Sequence, residues 1–526
     1  MRNRKIASSM SARTGSARTG IARVALANAL ALALAGCALG PDYVRPTSPL
    51  PPEFANTPEA ASPSMAANAD APSSESIAAG ADALATFWKR FDDPVLDALV
   101  EQALAANHDL RIAQARLEEA RVARRSAYID LFPTVTASGS RQRSALAAPE
   151  APGAPPEARR SDYYEAGFDA SWEISLFGRN RRGIAAQTAF ADAAQAQVWG
   201  TQVAVAGEVA RQYFELRGLQ ARLDVARRNA DAQRQSLAIT RARVDNGIGN
   251  DLDRARAEAQ YETTLAQIPQ LETAAASAIY RIGVLTGQPP AAHEERLSAP
   301  YEPAPLPEVT PVGRPEDLLR RRPDIVAAER TLAGRTNLIG YRMTDLFPRI
   351  VFNGRVGYAA EQLGDLGGSG TRTWRFGPGI TWAAFDIPRV LQQVNAEKAR
   401  TEGALAEYEQ TVLEALEDAE GALNAYGRNA AERDHRERAA RAGTDAVKLA
   451  RMRYDAGISD FETVLDTERA LLQSEDQLAQ ARAQAATSLV AVYKALGGGW
   501  IGDAAVDERA VDERANDSAS EAQARP

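Results

Sequence analysis

The sequence repeats itself after 210 to 215 residues, and this repetition limits the folds open to the chain. The tetrapeptide Asp-Leu-Phe-Pro occurs at 130–133 and again at 345–348. The spaced set Arg-x-Arg-x-Asp-x-Gly-Ile occurs at 241–248 and again at 451–458. Several motifs that return in register indicate a duplicated structural unit. We predict a unit of helix, strand, strand, long helix, turn and helix, present twice.

The strongest strand signal lies within residues 163–176. Apolar side chains occupy every second position, including Tyr164, Phe168 and Trp172, and mostly polar side chains lie between them. A period of two predicts a strand with one polar and one apolar face. At about 3.3 Å per residue, about thirteen residues span roughly 43 Å, enough to cross a bilayer at a tilt.

Four segments in all carry strand patterns, two in each repeat. We predict strands near residues 132–145, 161–177, 348–361 and 372–386, with their apolar faces toward lipid. Single-chain membrane barrels begin at eight strands, and an open sheet edge cannot face lipid. Several chains must therefore pool their strands. The physics of the sequence permits two copies or three.

Helical patterns fill most of the remaining chain. We predict helices over about 94–129, 181–246, 251–285, 315–347 and 390–455, and a last helix that ends near Gly497. At 1.5 Å per residue the second would run roughly 100 Å. Gly247 and Gly457 interrupt the long runs, and glycine permits the positive φ that such a turn can need. The Pro-rich stretch 287–313 divides the two repeats.

The composition excludes several classes of function. The net charge of −8 gives no indication of a nucleic-acid partner. His108, His293 and His435 are far apart in sequence, so we predict neither a metal site nor a cofactor. No Ser/His/Asp order and no dinucleotide fingerprint indicates catalysis, so we predict that the chain is not an enzyme.

The single cysteine, Cys37, follows a basic N-terminus and an apolar stretch too short to span a membrane. It lies in the sequence Leu34-Ala35-Gly36-Cys37, which looks like the lipobox of a bacterial lipoprotein. We predict that Cys37 carries an N-acyl group and an S-diacylglycerol, which would tether the mature chain to a membrane.

These features together resemble the TolC-like outer-membrane factors, in particular the NodT/OprM-like lipoprotein branch that serves tripartite efflux systems. The resemblance covers about residues 36–500 and rests on the segments 37–43, 88–94, 172–179, 318–325 and 496–500. Within the third segment, Ser175 stands where the family usually has aspartate.

The resemblance implies a mainly α fold with a membrane β part. Three chains would form a homotrimer with a twelve-stranded outer-membrane barrel, continued by a periplasmic barrel of α-helices. Such a duct passively carries drugs, solvents or organic acids from an adaptor protein and an inner-membrane transporter, here of the RND type. The expected divisions are a signal peptide (1–36), a lipidated extended segment (37–87), two repeats (88–286 and 314–500), a connector forming a belt (287–313) and a disordered acidic tail (501–526).

The resemblance also implies a gate at the periplasmic tips. The turns at Gly247-Ile248 and Gly457-Ile458 would meet the adaptor. Asp466 corresponds to an acidic residue that rings the aperture, and Tyr454 and Asp253 correspond to a latch pair. Thr463 replaces a second ring aspartate of the prototype and Ser459 replaces a latch arginine, so one or two acidic layers remain possible.

Two interpretations other than an efflux duct stay open. A periplasmic coiled-coil spacer without a pore would explain the helices but has no use for aromatic, alternating strands. A duct coupled to protein secretion would share the same fold. The neighbouring genes would distinguish the two functions. Genes for an adaptor and a resistance-type transporter would indicate efflux, and a gene for a secretion ATPase would indicate secretion.

Overall fold

A computed structural model describes residues 39–47, 50–56, 84–299, 301, 305–307 and 314–500. The expected signal peptide, Cys37 and the acidic tail all lie outside the described residues, and so does the segment 57–83.

Four strands form one antiparallel sheet in the order β1-β2-β3-β4. They are β1 (Thr134–Ala145), β2 (Arg160–Ile174), β3 (Arg349–Ala360) and β4 (Arg372–Thr381). The four predicted strands are confirmed, although β2 and β4 end earlier than expected because the chain there turns toward the long helices. The second strand of one repeat pairs with the first strand of the other, with Phe168 opposite Val356.

The helices occupy most of the rest of the described chain. They are α1 (Pro94–Ala106), α2 (His108–Ile129), α3 (Arg179–Asp245), α4 (Asp251–Leu285), α5 (Glu294–Leu297), α6 (Pro315–Arg321), α7 (Pro323–Met343), α8 (Ile387–Asp455) and α9 (Phe461–Ala495). The two longest, α3 and α8, hold equivalent places in the two repeats.

The prediction of one continuous helix before each strand pair was wrong, since both helices are divided. Asn107 separates α1 from α2, and its side-chain oxygen accepts hydrogen bonds from the backbone N–H groups of Asp109 and Leu110. Its side-chain N–H donates to the carbonyl of Leu285 at 2.9 Å. In the second repeat, Pro323 begins α7 after Arg322, whose backbone is extended.

The described chain forms two compact units that do not follow the sequence repeats. One unit contains the four strands and takes segments 118–193 and 329–407 together with the N-terminal residues. The other contains segments 47–117, 194–328 and the chain from Tyr408 onward. Each unit draws on both repeats, because equivalent segments of the two repeats fold together.

The core of the second unit begins at the motif Phe91-Asp92-Asp93-Pro94. Phe91 is buried, and Asp92 takes a left-handed conformation with φ of 49°. The carboxylate of Asp93 caps α1 by accepting the N–H groups of Val95 and Leu96. Its other oxygen accepts the hydroxyl of Tyr213 at 2.5 Å, and burial raises the pKa of Tyr213, as does this hydrogen bond.

The sequence segments 318–325 and 496–500 contact each other in the same unit. The indole of Trp500 stacks on Trp199 with ring centres 4.6 Å apart and donates to the carbonyl of Arg321. Gly497 adopts φ of +78°, and an added Cβ would approach that same carbonyl to 2.9 Å. The closing glycine motif is therefore required for the close approach of α9 to the junction of α6 and α7.

The N-terminal segment is bound to the unit that holds the strands. The guanidinium of Arg182 donates to the carbonyls of Leu39 and Gly40 and to the carboxylate of Asp42. Arg45 forms an ion pair with Glu329 at 2.5 Å. Leu39, the first described residue, is therefore bound to the unit that holds the sheet.

Candidate functional site

Two helix hairpins end in the same type of turn. Gly247, between α3 and α4, has φ of +70°, and Gly457, between α8 and α9, has φ of +71°. In each turn the following isoleucine donates its N–H five residues back, Ile248 to the carbonyl of Arg243 and Ile458 to that of Arg453. These are Schellman turns, in which a left-handed residue closes the helix end. The predicted helix breaks are confirmed.

The two isoleucines at these tips point away from the protein. Ile248 is 76% exposed and Ile458 is 66% exposed. Isolated exposed apolar residues are common, but these two hold the same position of the repeat. The tips therefore present a matched pair of apolar side chains.

A second repeated feature lies behind each tip, where an arginine pairs with a glutamate 17 residues later. Arg241 pairs with Glu258 at 3.0 Å and Arg451 with Glu468 at 2.8 Å. The side chain of Glu258 is 50% exposed, whereas that of Glu468 is 4% exposed. Glu468 also accepts the hydroxyl of Ser236 at 2.9 Å, so this pair connects α8 and α9 to α3.

A cavity of about 470 Å³ lies beside Glu468, between α3, α8 and α9. Its lining combines cationic side chains such as Lys448 and Arg451 with acidic ones such as Glu475. The buried amide of Gln233 also lines it, and neither of its side-chain polar atoms has a partner within the described residues. The helix packing behind the tips is therefore polar and incompletely filled.

The three predicted gate residues all lie in the tip region but are not joined. Tyr454 packs against Phe461 and lies under the guanidinium of Arg243, 4.6 Å from its ring centre. Asp253 lies in the first turn of α4, and no hydrogen bond links it to Tyr454 in the described part of the chain. Asp466 is exposed on α9 and pairs with Arg469 of the same helix, at 3.4 Å.

The structure assigns a role to Ser175, the position at which the sequence departs from the family pattern. Its hydroxyl accepts the backbone N–H of Asn180 at 3.0 Å, in the first turn of α3. A serine oxygen can satisfy that N–H as an aspartate would, so the change retains the helix cap.

The sheet has one apolar and one polar face. The register aligns Phe168 with Val356 and Val356 with Trp374, and all three side chains are exposed in the single chain. On the opposite face Arg355 forms ion pairs with Glu165 at 3.1 Å and Asp169 at 3.6 Å. One face therefore suits lipid and the other suits a water-filled lumen.

The two repeats anchor the base of the sheet in the same way. The indole N–H of Trp172 donates to the carbonyl of Leu131, and that of Trp382 donates to the carbonyl of Leu346. Both acceptors precede Phe-Pro in the repeated tetrapeptide. Trp172 and Trp382 lie 210 residues apart in the sequence, which matches the period of the repeat, but their hydrogen bonds become visible only in the structure.

None of the helices in the described ranges is both long enough and apolar enough to cross a membrane. Among the residues placed by the structure, no three His, Cys, Asp or Glu side chains group as they would around a metal ion.

The duplicated unit, the sheet with two unlike faces and the long helix hairpins define a protomer of an outer-membrane channel. The sequence profile of the family described as outer membrane efflux protein matches residues 99–288 and 315–498. The chain belongs to this family.

Three relatives illustrate the similarity. The toluene efflux pump outer membrane protein TtgC and the antibiotic efflux pump outer membrane protein ArpC, both of Pseudomonas putida, are each 31% identical over 475 residues. The match covers 89% of this chain and 94% of each relative. The solved structure of the outer-membrane channel OprN is 38% identical, covers 88% of this chain and all of its own, and has a TM-score of 0.77.

These comparisons confirm the predicted fold class, the TolC-like channel with a strand part and a helical part, and the predicted outer-membrane efflux function. They also confirm the outer membrane as the location. The positions of the gate and of the lipid anchor stay predictions.

Proposed function

We propose that three copies of this chain form a passive duct for small molecules across the periplasm and the outer membrane. The two-faced sheet carries this proposal, because its outer strands β1 and β4 have unpaired edges in the single chain. A sheet edge cannot face lipid, so the edges must pair with neighbouring copies. Three copies of four strands close a barrel of ordinary size.

The relatives support the cargo class and the partners. TtgC is named for toluene efflux and ArpC for antibiotic efflux. We propose that this chain carries drugs, solvents or organic acids delivered by a periplasmic adaptor and an RND-type inner-membrane transporter. The chain itself catalyses no reaction. Residues 287–313 connect its two repeats, at 88–286 and 314–500, and form part of a belt around the helical tunnel.

Deletion and complementation test this function. Loss of the gene should raise intracellular accumulation of a fluorescent efflux substrate and sensitivity to toluene, and the plasmid-borne gene should restore both. The set of secreted proteins should stay the same. If secretion changes while accumulation does not, the duct serves protein export instead.

The first structural prediction concerns the lipid anchor at Cys37. Cys37→Ser should abolish incorporation of a clickable fatty acid, because the thiol is the only acceptor for the diacylglycerol. Efflux should fall only in part, since the strands also hold the protein in the membrane. Ser175→Ala is a matched control, because it lies outside the lipobox sequence, retains the thiol and should keep full labelling. Undiminished labelling of the Cys37 variant would exclude lipidation at this site.

The second prediction concerns docking at the hairpin tips. A photo-crosslinking residue at Ile248 or Ile458 should capture the adaptor, because both side chains are exposed at the tips. The same residue at Leu413, which is exposed on α8 well before the tip, should capture little. Crosslinks that form only from residues 287–313 would refute docking at the tips.

The third prediction concerns the gate. Three symmetry-related copies of Asp466 would repel one another and attract cations. A hydrogen bond between Tyr454 and Asp253 would contribute roughly 1.5–3 kcal/mol per protomer if shielded from water. In the structure Tyr454 packs on Phe461, so forming that bond requires the two hairpins to move toward each other. We propose that this movement closes the channel in the assembled trimer.

Single-channel recording in planar bilayers tests the gate. Tyr454→Phe should raise the resting conductance or open probability, and Asp466→Ala should reduce the preference for cations. Tyr261→Phe changes a tyrosine on the same apolar cluster and should have neither effect. If both gate variants conduct as the parent does, the aperture is controlled elsewhere.

A further inference from the structure

The lipid-facing side of the sheet is apolar along most of its length but becomes basic near one end. The chain enters β1 from α2 and leaves β2 toward α3, so the helices join the sheet at one end and the loops 146–159 and 361–371 close the other. Since the helices of this outer-membrane protein lie in the periplasm, the loop end reaches the outer surface. The outward positions at that end carry arginine instead of apolar residues.

The strand register places four arginines on the face shared with Phe168. Arg141 lies opposite Tyr164 and Arg372 lies opposite Tyr358, both tyrosines belonging to the apolar face. Arg143 and Arg160 lie one and two outward steps farther along β1 and β2. We call these four residues the arginine belt.

The belt begins where the apolar band ends. From Ile174 to Tyr164 the outward positions of β2 are apolar, and the strand advances ten residues over this distance. At about 3.3 Å per residue and a tilt near 40°, that advance spans about 25 Å along the membrane normal, the usual height of an apolar band. The belt therefore lies at the level of the outer lipid headgroups.

The belt has an excess of positive charge. Asp162 is the acidic residue that shares this face with it, and Asp162 contacts Arg141 at 3.4 Å and Arg143 at 3.7 Å. The side chains of Arg141 and Arg143 are nevertheless 59% and 68% exposed, and those of Arg160 and Arg372 are exposed as well. Arg141 also stacks on the ring of Tyr164, which fixes its direction.

An arginine at headgroup level has forked N–H donors that fit phosphate oxygens. A lipid without net charge would not offset four guanidinium groups on a surface that contacts the membrane. We propose that the arginine belt binds the phosphate groups of phosphorylated lipids in the outer leaflet. On the proposed trimer, on which this step rests, β1 and β4 are the strands that meet a neighbour, so the belt continues across each boundary.

Native mass spectrometry of the full-length protein in detergent tests the belt. The probes are lipid A with two phosphates, lipid A with one, and phosphatidylethanolamine. The parent should bind them in that order of decreasing affinity. Arg141→Gln/Arg143→Gln/Arg372→Gln should weaken binding of the diphosphorylated lipid at least about tenfold, as loss of a charge-assisted hydrogen bond implies.

Arg375→Gln is the matched control, because Arg375 lies on β4 three residues from Arg372 and on the opposite face. It should bind the diphosphorylated lipid as the parent does, and Arg141→Lys/Arg143→Lys/Arg372→Lys should recover part of the affinity. Equal binding by the parent and the glutamine variant would overturn the proposal, as would an equal loss in Arg375→Gln. Free phosphate should compete only weakly, and full displacement by it would mean a simple ion site.

The oligomeric state of every variant is read from the same spectra. If the parent is not a trimer, the proposed duct fails independently of its lipid binding. If the trimers are intact and lipid selectivity is absent, only the proposal that the arginine belt binds lipid phosphates is wrong. Should the triple variant not assemble, Arg143→Gln alone changes the most exposed member of the β1 pair and should still reduce binding of diphosphorylated lipid.

Discussion

Replacing Phe168 by arginine should destabilise the membrane-inserted protein by roughly 2–4 kcal/mol. Phe168 lies on the apolar face, six residues from Ile174 and four from Tyr164, near the middle of the apolar band. At that depth water does not reach the guanidinium, and the described residues offer no acid on that face nearby. Trp382→Arg should cost less, because Trp382 lies beyond the end of β4, toward the helices.

Urea unfolding in lipid vesicles and the yield of inserted trimer both measure this effect. The control is Ser171→Arg, which places the same charge on the same strand but on the polar face, opposite Asn353. That variant should unfold at nearly the urea concentration of the parent. Equal stability of the Phe168 variant and the parent would show that the assignment of the two faces is reversed.

Replacing Arg322 by alanine should cost the helical unit about 2–3 kcal/mol of its free energy of unfolding. The buried guanidinium donates to Asp324 at 2.6 Å and 3.1 Å and to Asp418 at 3.1 Å. It also donates to the carbonyl of Ala495 at 3.2 Å. Although burial opposes the charge, the hydrogen bonds that Arg322 donates to the two aspartates raise the pKa of Arg322.

The expected cost is below that of a fully buried ion pair, because both aspartates stay partly in water. Thermal or denaturant unfolding followed by the circular dichroism of the helices measures it. Arg320→Ala, in the same run of arginines but exposed, should stay within about 0.5 kcal/mol of the parent. If the two alanine variants unfold alike, Arg322 does not hold α7, α8 and α9 together.

The sequence predicted those parts of the fold that depend on local rules. Alternation along residues 163–176 is a property of the strand itself, so the strand and its two faces could be read without any partner. Gly247 and Gly457 ended their helices where predicted, because a left-handed residue closes a helix by contacts within five residues. The gate residues were placed only by resemblance, and the structure shows them in the tips but unjoined.

The helix break at Asn107 could not be predicted, since a helical pattern continues across it, whereas Pro323 is itself a local signal for the break at Arg322. Asn107 ends a helix because its amide also reaches the carbonyl of Leu285, which is 178 residues away in the chain. Arg322 is stabilised in an extended conformation by acceptors on α8 and α9. A contact between distant segments therefore decided where α1 stops, and such contacts only reinforce the stop that Pro323 imposes at Arg322.

The two arginine–glutamate pairs behind the tips also separate what the sequence determines from what the tertiary structure determines. In each pair, Arg241 with Glu258 and Arg451 with Glu468, the two residues lie 17 positions apart. They lie on either side of the turn that joins the two helices of a hairpin, so the sequence alone determined that they can meet. It did not determine that one pair stays in water while the other is buried against Ser236 of α3. Spacing along the chain fixes which charges can meet, but burial depends on which helix packs over them, and that is a property of the tertiary structure.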